Sequence, residues 1–548
     1  INDEWFDAGL GRREVLADNI PIGRFQLRVR AETASGMVEE LRTKLTHQLD
    51  RRDHLGLGHT VIADVDLFDG QVTVSRQDLR LPGRGPEVAF QRTWSSLQGA
   101  RIGSLGRGWS SNLNIELHLA GCRPQLVGAQ GAGTEFEAVG TEPDGSLRYR
   151  ALHGYHGTLF QRTDGSYDVY AKDGTRYHFA YGSRYLHPVG NARVIPVAFT
   201  EDPNGNRLTR GYLWLGGVPV PNALTASGGR TLSLDYELRA TGGDFEEPGV
   251  YPLLVRARAP GGFELLLDYD DKAQLIRAHR TDAPSDESYV YEDFGWAAGS
   301  DLSFHRLGSR MMSVRDEIAS RTRQSFVYER HWVHSPRGDG NIDIHPELRV
   351  IRHANALGQA TLFHFEGLRG LGLAVHTEVT SPKGVETDYR MNGFGGVDQI
   401  VDPIGTSSTE WNPVHRQPAS QTDRENVVTE FDYDEFGNVL RERRQGRGTP
   451  VEQHFTWKAP GDFNTRILNR PASHTDFAGI VETYDYDARG NRESRTRDGE
   501  TELWTYATNG DVASWTDFET ARTAYAYSPK GLLERTVYAD GAIARQAY

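Results

Sequence analysis

The segments FDYDEFGN (Phe431–Asn438) and YDYDARGN (Tyr484–Asn491) share one phrase, an aromatic-x-Tyr triplet followed by a tetrapeptide that closes with glycine. The phrase returns at Tyr506 and Tyr527, and Tyr548 falls on the same slot. The steps from Tyr486 onward are therefore 20, 21 and 21 residues. A fixed period of this length is the signature of an internal repeat, and the repeat decides the fold class.

Each repeat is predicted to be a β-hairpin. Aromatic residues two apart lie on one face of a strand. The tetrapeptides that follow place Asp first and Gly fourth, as a type I turn favours. Two turns of about four residues and two strands of roughly six fill such a repeat. A second turn family carries proline at its second position: Asp402–Gly405, Ser381–Gly384, Ser528–Gly531, Ser335–Gly338 and Asp202–Gly205.

The repeat extends backwards along the chain. Trp457, Trp411, Tyr389 and Phe365 occupy the aromatic slot at steps of 22 to 24 residues, so the regular repeats are predicted from about residue 350 to the end. Earlier members are degenerate, at steps that loop insertions would explain: Tyr328, Tyr291, Tyr269 and Tyr236. The pattern predicts an all-β fold in which residues 60–548 form one spiralling antiparallel sheet.

In these repeats the chain resembles the YD-repeat proteins, which include the Rhs cores of polymorphic toxins, Tc-toxin cocoon subunits and, more distantly, teneurins. The resemblance extends to residues 62–112, which are similar to the opening module of Rhs cores. The motifs that carry it are IADVDLFDGQV (Ile62–Val72), DLRLPGRGP (Asp78–Pro86), FQRTWSS (Phe90–Ser96) and GRGW (Gly106–Trp109). Repeats and opening module together cover most of the chain.

The resemblance implies a hollow cocoon, a shell lined by sheet that encapsulates a C-terminal toxic domain until an autoprotease cuts it free. The implied partners are that toxic domain and the spike or delivery component of a secretion system. The implied localisation is secretion without a cleavable signal peptide, for bacterial competition or against a host. The alternative is an extracellular adhesion or glycan-binding YD-repeat protein that uses exposed Trp and Tyr. The lack of disulfides and of a secretion signal favours the shell.

Three zones are expected along the chain: a leader or plug-like segment (1–58), the opening module with degenerate repeats (59–350), and the regular repeats (351–548). In the first zone Val38, Leu41, Leu45 and Leu49 recur at spacings of three and four, which predicts a helix over Gly36–Arg52. Such a helix would be a plug or linker, or a leader packed on the first strands. The start without Met and the end in mid-hairpin predict a fragment of a longer protein.

Composition narrows the function classes. No apolar run of 18 residues exists, so no membrane-spanning helix is expected. The single cysteine, Cys122, excludes disulfides within the chain. The net charge of −14 argues against nucleic acid or an anionic membrane as a main partner.

The sequence contains no pattern of catalytic residues. The resemblance implies self-cleavage at an Asp-Pro-x-Gly pair near the end of the core, and that tetrapeptide occurs at Asp202–Gly205 and Asp402–Gly405. Both are interpreted as repeat turns, since they lie 200 residues apart and 143 residues follow Gly405. The autoprotease and the toxin activity are expected in sequence outside this chain.

Other patterns are equally weak. The pairs His331 with His334 and His153 with His156 have a spacing that does not bring two ligands together on a strand, so no metal site is assigned. Paired carboxylates are a hint of glycosidase chemistry. They recur with the repeat, however, whereas an enzyme needs one site: Asp432 with Asp434, and Asp485 with Asp487. We expect no enzyme, no cofactor and no metal, and an enzyme remains the third and weakest possibility.

Overall fold

The computed structural model describes these residues: 23–32, 38–47, 59–96, 102–119, 123–128, 133–152, 154–186, 193–241, 249–282, 286–294, 296–298, 304–306, 309–336, 342–366, 375–458 and 469–547. Across these ranges the secondary structure is strand, turn and bend, with 3-10 structure at Ser96 and Tyr181–Ser183 and no α-helix. The all-β prediction is confirmed. Accordingly, no helix in these ranges is long and apolar enough to cross a membrane.

The predicted helix over Gly36–Arg52 is wrong. The segment contains β2 (Val38–His47), a strand paired antiparallel with β1 (Gly23–Glu32), in which Leu41 lies opposite Val29. A spacing of four residues fits a strand face as well as a helix face, because both positions have the same parity. The partner segment, FQLRVRA, alternates apolar and polar residues with the period of a strand. A ladder of ten residue pairs therefore fixes the extended conformation.

The opening module forms short sheets of its own, in which β3 pairs with β4, β7 pairs with β8, and β5, β6 and β9 form a three-stranded sheet. Its strands are β3 (Val61–Ile62), β4 (Val65–Asp66), β5 (Thr73–Leu81), β6 (Val88–Ser95), β7 (Ile102–Gly103), β8 (Gly106–Arg107) and β9 (Trp109–Ser111). The large sheet was predicted to begin at residue 60, but it begins after the opening module, at Glu116. Four of these seven strands have only two residues, too short to extend a ladder.

A single antiparallel sheet of 37 strands then follows in chain order. Its first part is β10 (Glu116–Leu119), β11 (Gln125–Val127), β12 (Gly133–Thr141), β13 (Leu147–Ala151), β14 (Thr158–Gln161), β15 (Tyr167–Tyr170), β16 (Arg176–Phe179), β17 (Tyr185–Leu186), β18 (Arg193–Pro196), β19 (Phe199–Glu201), β20 (Arg207–Leu215), β21 (Val218–Ala226), β22 (Thr231–Thr241), β23 (Gly249–Ala259), β24 (Phe263–Tyr269), β25 (Leu275–Arg280) and β26 (Asp286–Asp293). A separate pair comes next, β27 (Trp296–Ala298) with β28 (Phe304–Arg306).

The sheet continues through β29 (Ser309–Asp316), β30 (Arg321–Pro336), β31 (Ile342–Asn355), β32 (Ala360–Glu366), β33 (Val375–Thr380), β34 (Glu386–Met391), β35 (Val397–Asp402), β36 (Gly405–Trp411), β37 (Pro418–Thr422), β38 (Val428–Tyr433), β39 (Val439–Gln445), β40 (Val451–Trp457), β41 (Pro471–Thr475), β42 (Val481–Tyr486), β43 (Arg492–Arg497), β44 (Glu500–Tyr506), β45 (Val512–Thr516), β46 (Arg522–Tyr527), β47 (Leu533–Val537) and β48 (Ile543–Arg545). Each hairpin thus pairs with the next, which leaves few exposed edges along the run.

The chain forms two compact units. Unit 1 comprises residues 1–73, 289–315 and 320–406, and unit 2 comprises 74–288, 316–319 and 407–548. The core of unit 1 includes Phe68 and Phe326, both almost fully buried. In unit 2, strands β10–β19 surround an apolar cluster that includes Phe136 and Phe179, and the extra pairings β10–β18 and β16–β19 close this section. The three-zone division with boundaries at residues 58 and 350 stays a prediction.

The repeats of unit 2 have no apolar core. Among the described residues from 407 to 548, the buried side chains are all polar: Asn438, Glu502, Ser514 and Thr536. The strand Arg441–Arg444 shows the reason, because Arg441 and Arg443 keep 36% and 31% of their side chains exposed and bind carboxylates on neighbouring strands. Burying either face in a dry core would strand such charges. Arg444, on the opposite face of the strand, keeps 53% of its side chain exposed, so both faces of this strand reach solvent.

The tyrosine of the repeat ties neighbouring strands together. Its hydroxyl donates a hydrogen bond to a main-chain carbonyl 14 or 15 residues earlier, and a β-bulge immediately precedes it. These bonds are Tyr212 to Val197 (2.7 Å), Tyr236 to Pro221 (2.7 Å), Tyr269 to Leu254 (2.8 Å), Tyr433 to Pro418 (2.7 Å) and Tyr506 to Arg492 (2.8 Å). Since a bulge interrupts the ladder, the hydroxyl offers a donor to main chain near each interruption. Tyr212 is a repeat member that the sequence pattern missed.

We expect Tyr433→Phe to lower the free energy of unfolding by about 1 kcal/mol, because it removes the hydrogen bond to the Pro418 carbonyl. Burial raises the pKa of Tyr433 to about 12, so the hydroxyl keeps its proton at neutral pH. The matched control is Tyr525→Phe in β46, whose hydroxyl has no hydrogen-bond partner among the described residues. Urea denaturation measures both variants, and equal midpoints would contradict this role of the repeat tyrosine.

Candidate functional site

The turn of the repeat is a closed hydrogen-bonded unit. In Asp434–Asn438 the main-chain N–H of Gly437 donates to the carbonyl of Asp434 (3.0 Å). Oδ1 of Asp434 accepts from the N–H groups of Phe436 (2.9 Å) and Asn438 (2.8 Å), and Oδ2 accepts from the side-chain amide of Asn438 (2.9 Å). Gly437 has a φ of +68°, in the left-handed region that favours glycine. The side chains of Asp and Asn therefore satisfy the main chain of the turn.

Within unit 2, late turns of this kind meet turns and loops that precede them by 259 to 446 residues. We call this line of contacts the seam. Its early side consists of residues 81–86, 154–157, 171–175 and 202–206, and its late side of 412–417, 434–438, 469–470, 487–491, 507–511 and 528–532. From 154 to 206, early turns contact late turns in parallel order along the chain, which indicates that the hairpin ribbon of unit 2 coils back onto itself.

Asparagines make the central contacts of the seam. The amides of Asn204 and Asn491 bond each other reciprocally, Nδ2 to Oδ1, at 3.0 and 2.8 Å. Asn491 also donates to Asp487 of its own turn (2.8 Å). Asn206 repeats the arrangement, since its Nδ2 donates to Asp202 (2.8 Å) and to the carbonyl of Asn509 (2.9 Å). One amide group thus closes its own turn and binds the opposite one, which an aspartate could not do because it has no donor.

A loop of the opening module closes the seam further along. The N–H of Arg84 donates to the carbonyl of Lys530 (3.0 Å), and its guanidinium binds Asp511 with two nitrogens, one at 2.8 Å. Arg230 donates to the carbonyls of Leu81 (3.0 Å) and Arg84. Arg84 and Asp511 keep only 15% and 13% of their side chains exposed. Such a two-point bond between partly buried charges fixes the loop in one orientation.

A buried charge cluster anchors the same module. Arg92, 2% exposed, binds Asp78 at 2.6 and 3.0 Å and lies 3.6 Å from Glu287 of β26, which also binds Arg76 at 3.0 Å. Burial raises the pKa of Asp78 even though Arg92 opposes the shift. The motifs Asp78–Pro86 and Phe90–Ser96 are therefore joined by an ion pair within unit 2. Removing one partner of such a cluster would leave its neighbours buried and unpaired.

In unit 1 the first motif of the module lies against the sheet. The N–H of Val350 donates to the carbonyl of Gly70 (2.8 Å), and the Thr377 hydroxyl donates to the carbonyl of Leu67 (2.7 Å). A Cβ on Gly70, whose φ is +68°, would lie 2.6 Å from Cβ of Arg349. Only glycine allows this close approach of main chain to strand.

The Asp-Pro-x-Gly tetrapeptides occupy turns, as interpreted from the sequence. Asp202 accepts the N–H of Gly205 (3.0 Å) with its carbonyl and belongs to the seam. Asp402 closes the hairpin between β35 and β36, where its carboxylate accepts the N–H of Ile404 (2.9 Å). That this chain is not an enzyme stays a prediction.

The two carboxylates of each repeated pair have different partners. Asp432 binds Arg441 of the next strand (2.7 Å), whereas Asp434 holds the turn. Asp485 lies 3.2 Å from Lys458, and Asp487 holds its own turn through the N–H of Asn491 (2.9 Å). The structure therefore gives each pair a structural role.

The predicted histidine pairs are not brought together as ligand sets within the described residues. His331 lies 3.7 Å from Glu329, and burial lowers its pKa. His153 and the side chain of His334 lie outside the described residues. His156 belongs to the seam. Across the part of the chain that the structure describes, no group of three or more His, Cys, Asp or Glu side chains could hold a metal ion.

Comparison with known proteins identifies one family and several structures. Residues 63–136 match a family model described as a domain of unknown function, DUF6531, which includes most of the opening module. No curated protein matches the chain. Among solved structures, the crystal structure of TcdB2-TccC3-Cdc42 is 14% identical and 83% of this chain is covered, with a TM-score of 0.38. The Photorhabdus luminescens Tc holotoxin pore with a substituted TccC3 is 10% identical over 86% of this chain, with a TM-score of 0.31.

A third similar structure is TcdB2-TccC3 without its hypervariable C-terminal region, 12% identical over 86% of this chain, with a TM-score of 0.31. The matches cover 27%, 24% and 37% of the three solved chains, respectively. The chain thus spans well under half the length of each structure it matches.

We expect Gly437→Val to destabilise unit 2 more than Gly479→Val. Both glycines have positive φ, +68° and +82°, so each valine brings backbone strain of about 1–3 kcal/mol. Only at Gly437 would the new Cβ meet the opposite turn, 2.2 Å from Nε2 of His156, while the space at Gly479 is open. Gly490→Val, at a φ of +80°, should carry the strain as well. Thermal unfolding gives the loss of stability for the three variants. Equal losses for Gly437→Val and Gly479→Val would argue against the seam.

We expect a double-mutant cycle on Asn204→Ala and Asn491→Ala to give a coupling energy of about 0.5–3 kcal/mol, because the two amides bond each other. The control cycle pairs Asn204→Ala with Asn438→Ala, whose amide binds Asn469 instead. Those two losses should add to within about 0.5 kcal/mol. Free energies of unfolding from urea titrations supply the values. Additive losses in the first cycle would mean that the seam is open in solution.

Proposed function

We propose that this chain is the structural β-shell of an Rhs-type polymorphic toxin. The shell encapsulates a C-terminal toxic domain until delivery by a secretion system, against competing bacteria or a host. Its partners are that domain as cargo and a spike or delivery component, and the protein is secreted without a cleavable signal peptide. The chain itself has no enzymatic role, and the autoprotease and the toxin lie in other parts of the protein.

The observation that carries the proposal is the missing apolar core of residues 407–548. A β-sandwich of this length would interdigitate apolar side chains across about 10 Å. Here the described side chains that are fully buried are polar, and charged side chains remain partly exposed. A sheet with no dry face suits a wall that has an aqueous space on each side.

Two further features support a wall. The seam joins the rims of the ribbon turn by turn, which is what a closed surface requires of a coiled sheet. The opening module bonds both to early strands and to late turns of unit 2, through Arg92 with Glu287 and through Arg84 with Asp511. A module that ties distant parts of one sheet together suits a shell that must stay closed around its cargo.

One observation favours the alternative, an extracellular adhesion or glycan-binding protein. Trp214 and Trp332 each expose 52% of their surface, and exposed aromatic side chains are what a carbohydrate-binding surface uses. A glycan array separates the two functions, since binding that is lost in Trp214→Ala or Trp332→Ala would favour adhesion. The shell requires no such binding.

Small-angle X-ray scattering of this chain tests the wall. A solid globule of this length has a radius of gyration of about 24 Å. We expect a larger radius of gyration and a pair-distance distribution whose maximum lies at longer distances, because a shell places its mass at the rim. A globular protein of equal mass is the control. A radius of gyration at the compact value, with the maximum of the distance distribution where the control has it, would remove the physical basis of encapsulation.

A further inference from the structure

A pair of histidines lies at one point of the seam. His156 of the early turn 154–157 and His415 of the late turn 412–417 face each other with ring centroids 5.1 Å apart. A Cβ on Gly154 would lie 2.4 Å from the carbonyl of His415, so the main chains of the two turns approach closely. Nε2 of His156 lies directly above Gly437, where a Cβ would be 2.2 Å away. We call His156, His415 and the turn 434–438 the histidine node.

The two rings are closed off from water at their inner atoms. Nε2 of His156 and Nδ1 of His415 are buried and have no hydrogen-bond partner among the described residues. In a neutral ring, a buried nitrogen that accepts no hydrogen bond costs less than a buried charge without a partner. An imidazolium would add a buried N–H donor and a charge at each of these atoms, and both would need a partner.

One cation and one carboxylate face the two rings. Lys172 of the early turn 171–175 donates to the carbonyl of Gly437 (2.9 Å), and its charge disfavours protonation of both rings. Asp434 is the acidic group that faces them, and its oxygens already accept three hydrogen bonds from its own turn. The remaining neighbours are Tyr433, whose ring lies 5.7 Å from His415, and Arg416, which follows His415 in the chain.

We propose that the histidine node is an acid-labile closure of the seam, in which protonation of His156 and His415 separates the early turns 154–157 and 171–175 from the late turns 412–417 and 434–438. With both rings charged, three cations would face one carboxylate, whose oxygens already accept three hydrogen bonds from its own turn. Separation relieves this repulsion by hydrating the rings. The device concerns contacts within unit 2 and does not depend on a cargo.

The direction of the pH dependence follows from the environment of the rings. Burial, then Lys172 and His415, lower the pKa of His156 from 6.5 to about 4, and burial lowers the pKa of His415 as well. In separated turns the rings would titrate near 6.5. The node therefore holds the seam fully above pH 6.5 and loses its contribution as the pH falls from 6.5 towards 4.

The other described contacts of the seam lack this sensitivity. Asn204 bonds Asn491, and Asn206 bonds the main chain of Asn509, so no group titrates there. Arg84 and Asp511 form an arginine–carboxylate pair, which contains no histidine. Opening in mild acid should therefore begin at the histidine node and leave the other contacts in place.

Double electron–electron resonance, which measures the distance between two spin labels, tests the proposal. The labels are placed at Ala171→Cys and Glu435→Cys, one on each side of the node, in a chain that carries Cys122→Ser. We expect one narrow distance distribution at pH 7.5 and a shift to longer, broader distances at pH 5.0, with a midpoint between the two. A distribution that is unchanged between the two pH values would overturn the proposal.

The matched control is the double variant His156→Asn, His415→Gln with the same labels. Asparagine tolerates the positive φ of +56° at residue 156, and neither amide titrates. We expect the narrow distribution at both pH values. Widening of the control in acid would assign the effect to other groups and overturn the proposal. If the control is already wide at pH 7.5, the single variant His415→Gln replaces it: with one titrating ring fewer, the midpoint must move to lower pH, and an unmoved midpoint would overturn the proposal.

Discussion

Main-chain hydrogen bonding between consecutive strands is the interaction on which the repeats of unit 2 depend. The described residues of 407–548 bury no apolar side chain, so the ladders of β37 to β48 hold these hairpins without a core. Every second ladder is interrupted by a bulge before the repeat tyrosine or tryptophan. The side chain then donates to the preceding strand, as Tyr433 does to Pro418 and Trp457 to Val439 (2.8 Å). The ribbon remains continuous because main-chain groups near its interruptions find partners.

The same requirement explains the seam. The main chain of a hairpin turn cannot join a ladder, so its polar groups need other partners. In Asp434–Asn438 the aspartate serves the turn itself, and the asparagine that follows the glycine is left with one donor to offer outward. Turn-to-turn contact is therefore directional and polar. A seam of this kind can be opened by a change of charge without breaking a ladder, which apolar packing would not allow.

Charge is buried where the structure needs rigidity and exposed where it needs water. The opening module encloses Arg92 with Asp78 and Glu287 inside unit 2, while the arginines of β39 stay partly exposed beside their carboxylates. A buried network of this kind is costly unless every member is paired, so it specifies one arrangement of the module. The exposed pairs contribute little each and leave both faces of the sheet wet.

The sequence by itself determined the hairpin, its period, the turn residues with positive φ and the absence of a helix-forming repeat, because these follow from local patterns of two to five residues. It also identified Asp202 and Asp402 as turn residues. It failed at Gly36–Arg52, where a spacing of four fits both a strand and a helix and the partner strand decided. It missed Tyr212 as a repeat member and the seam as a whole. Only the tertiary structure places Asn204 beside Asn491 and His156 beside His415, because contacts across more than 250 residues depend on how the ribbon coils, and no local pattern encodes that path.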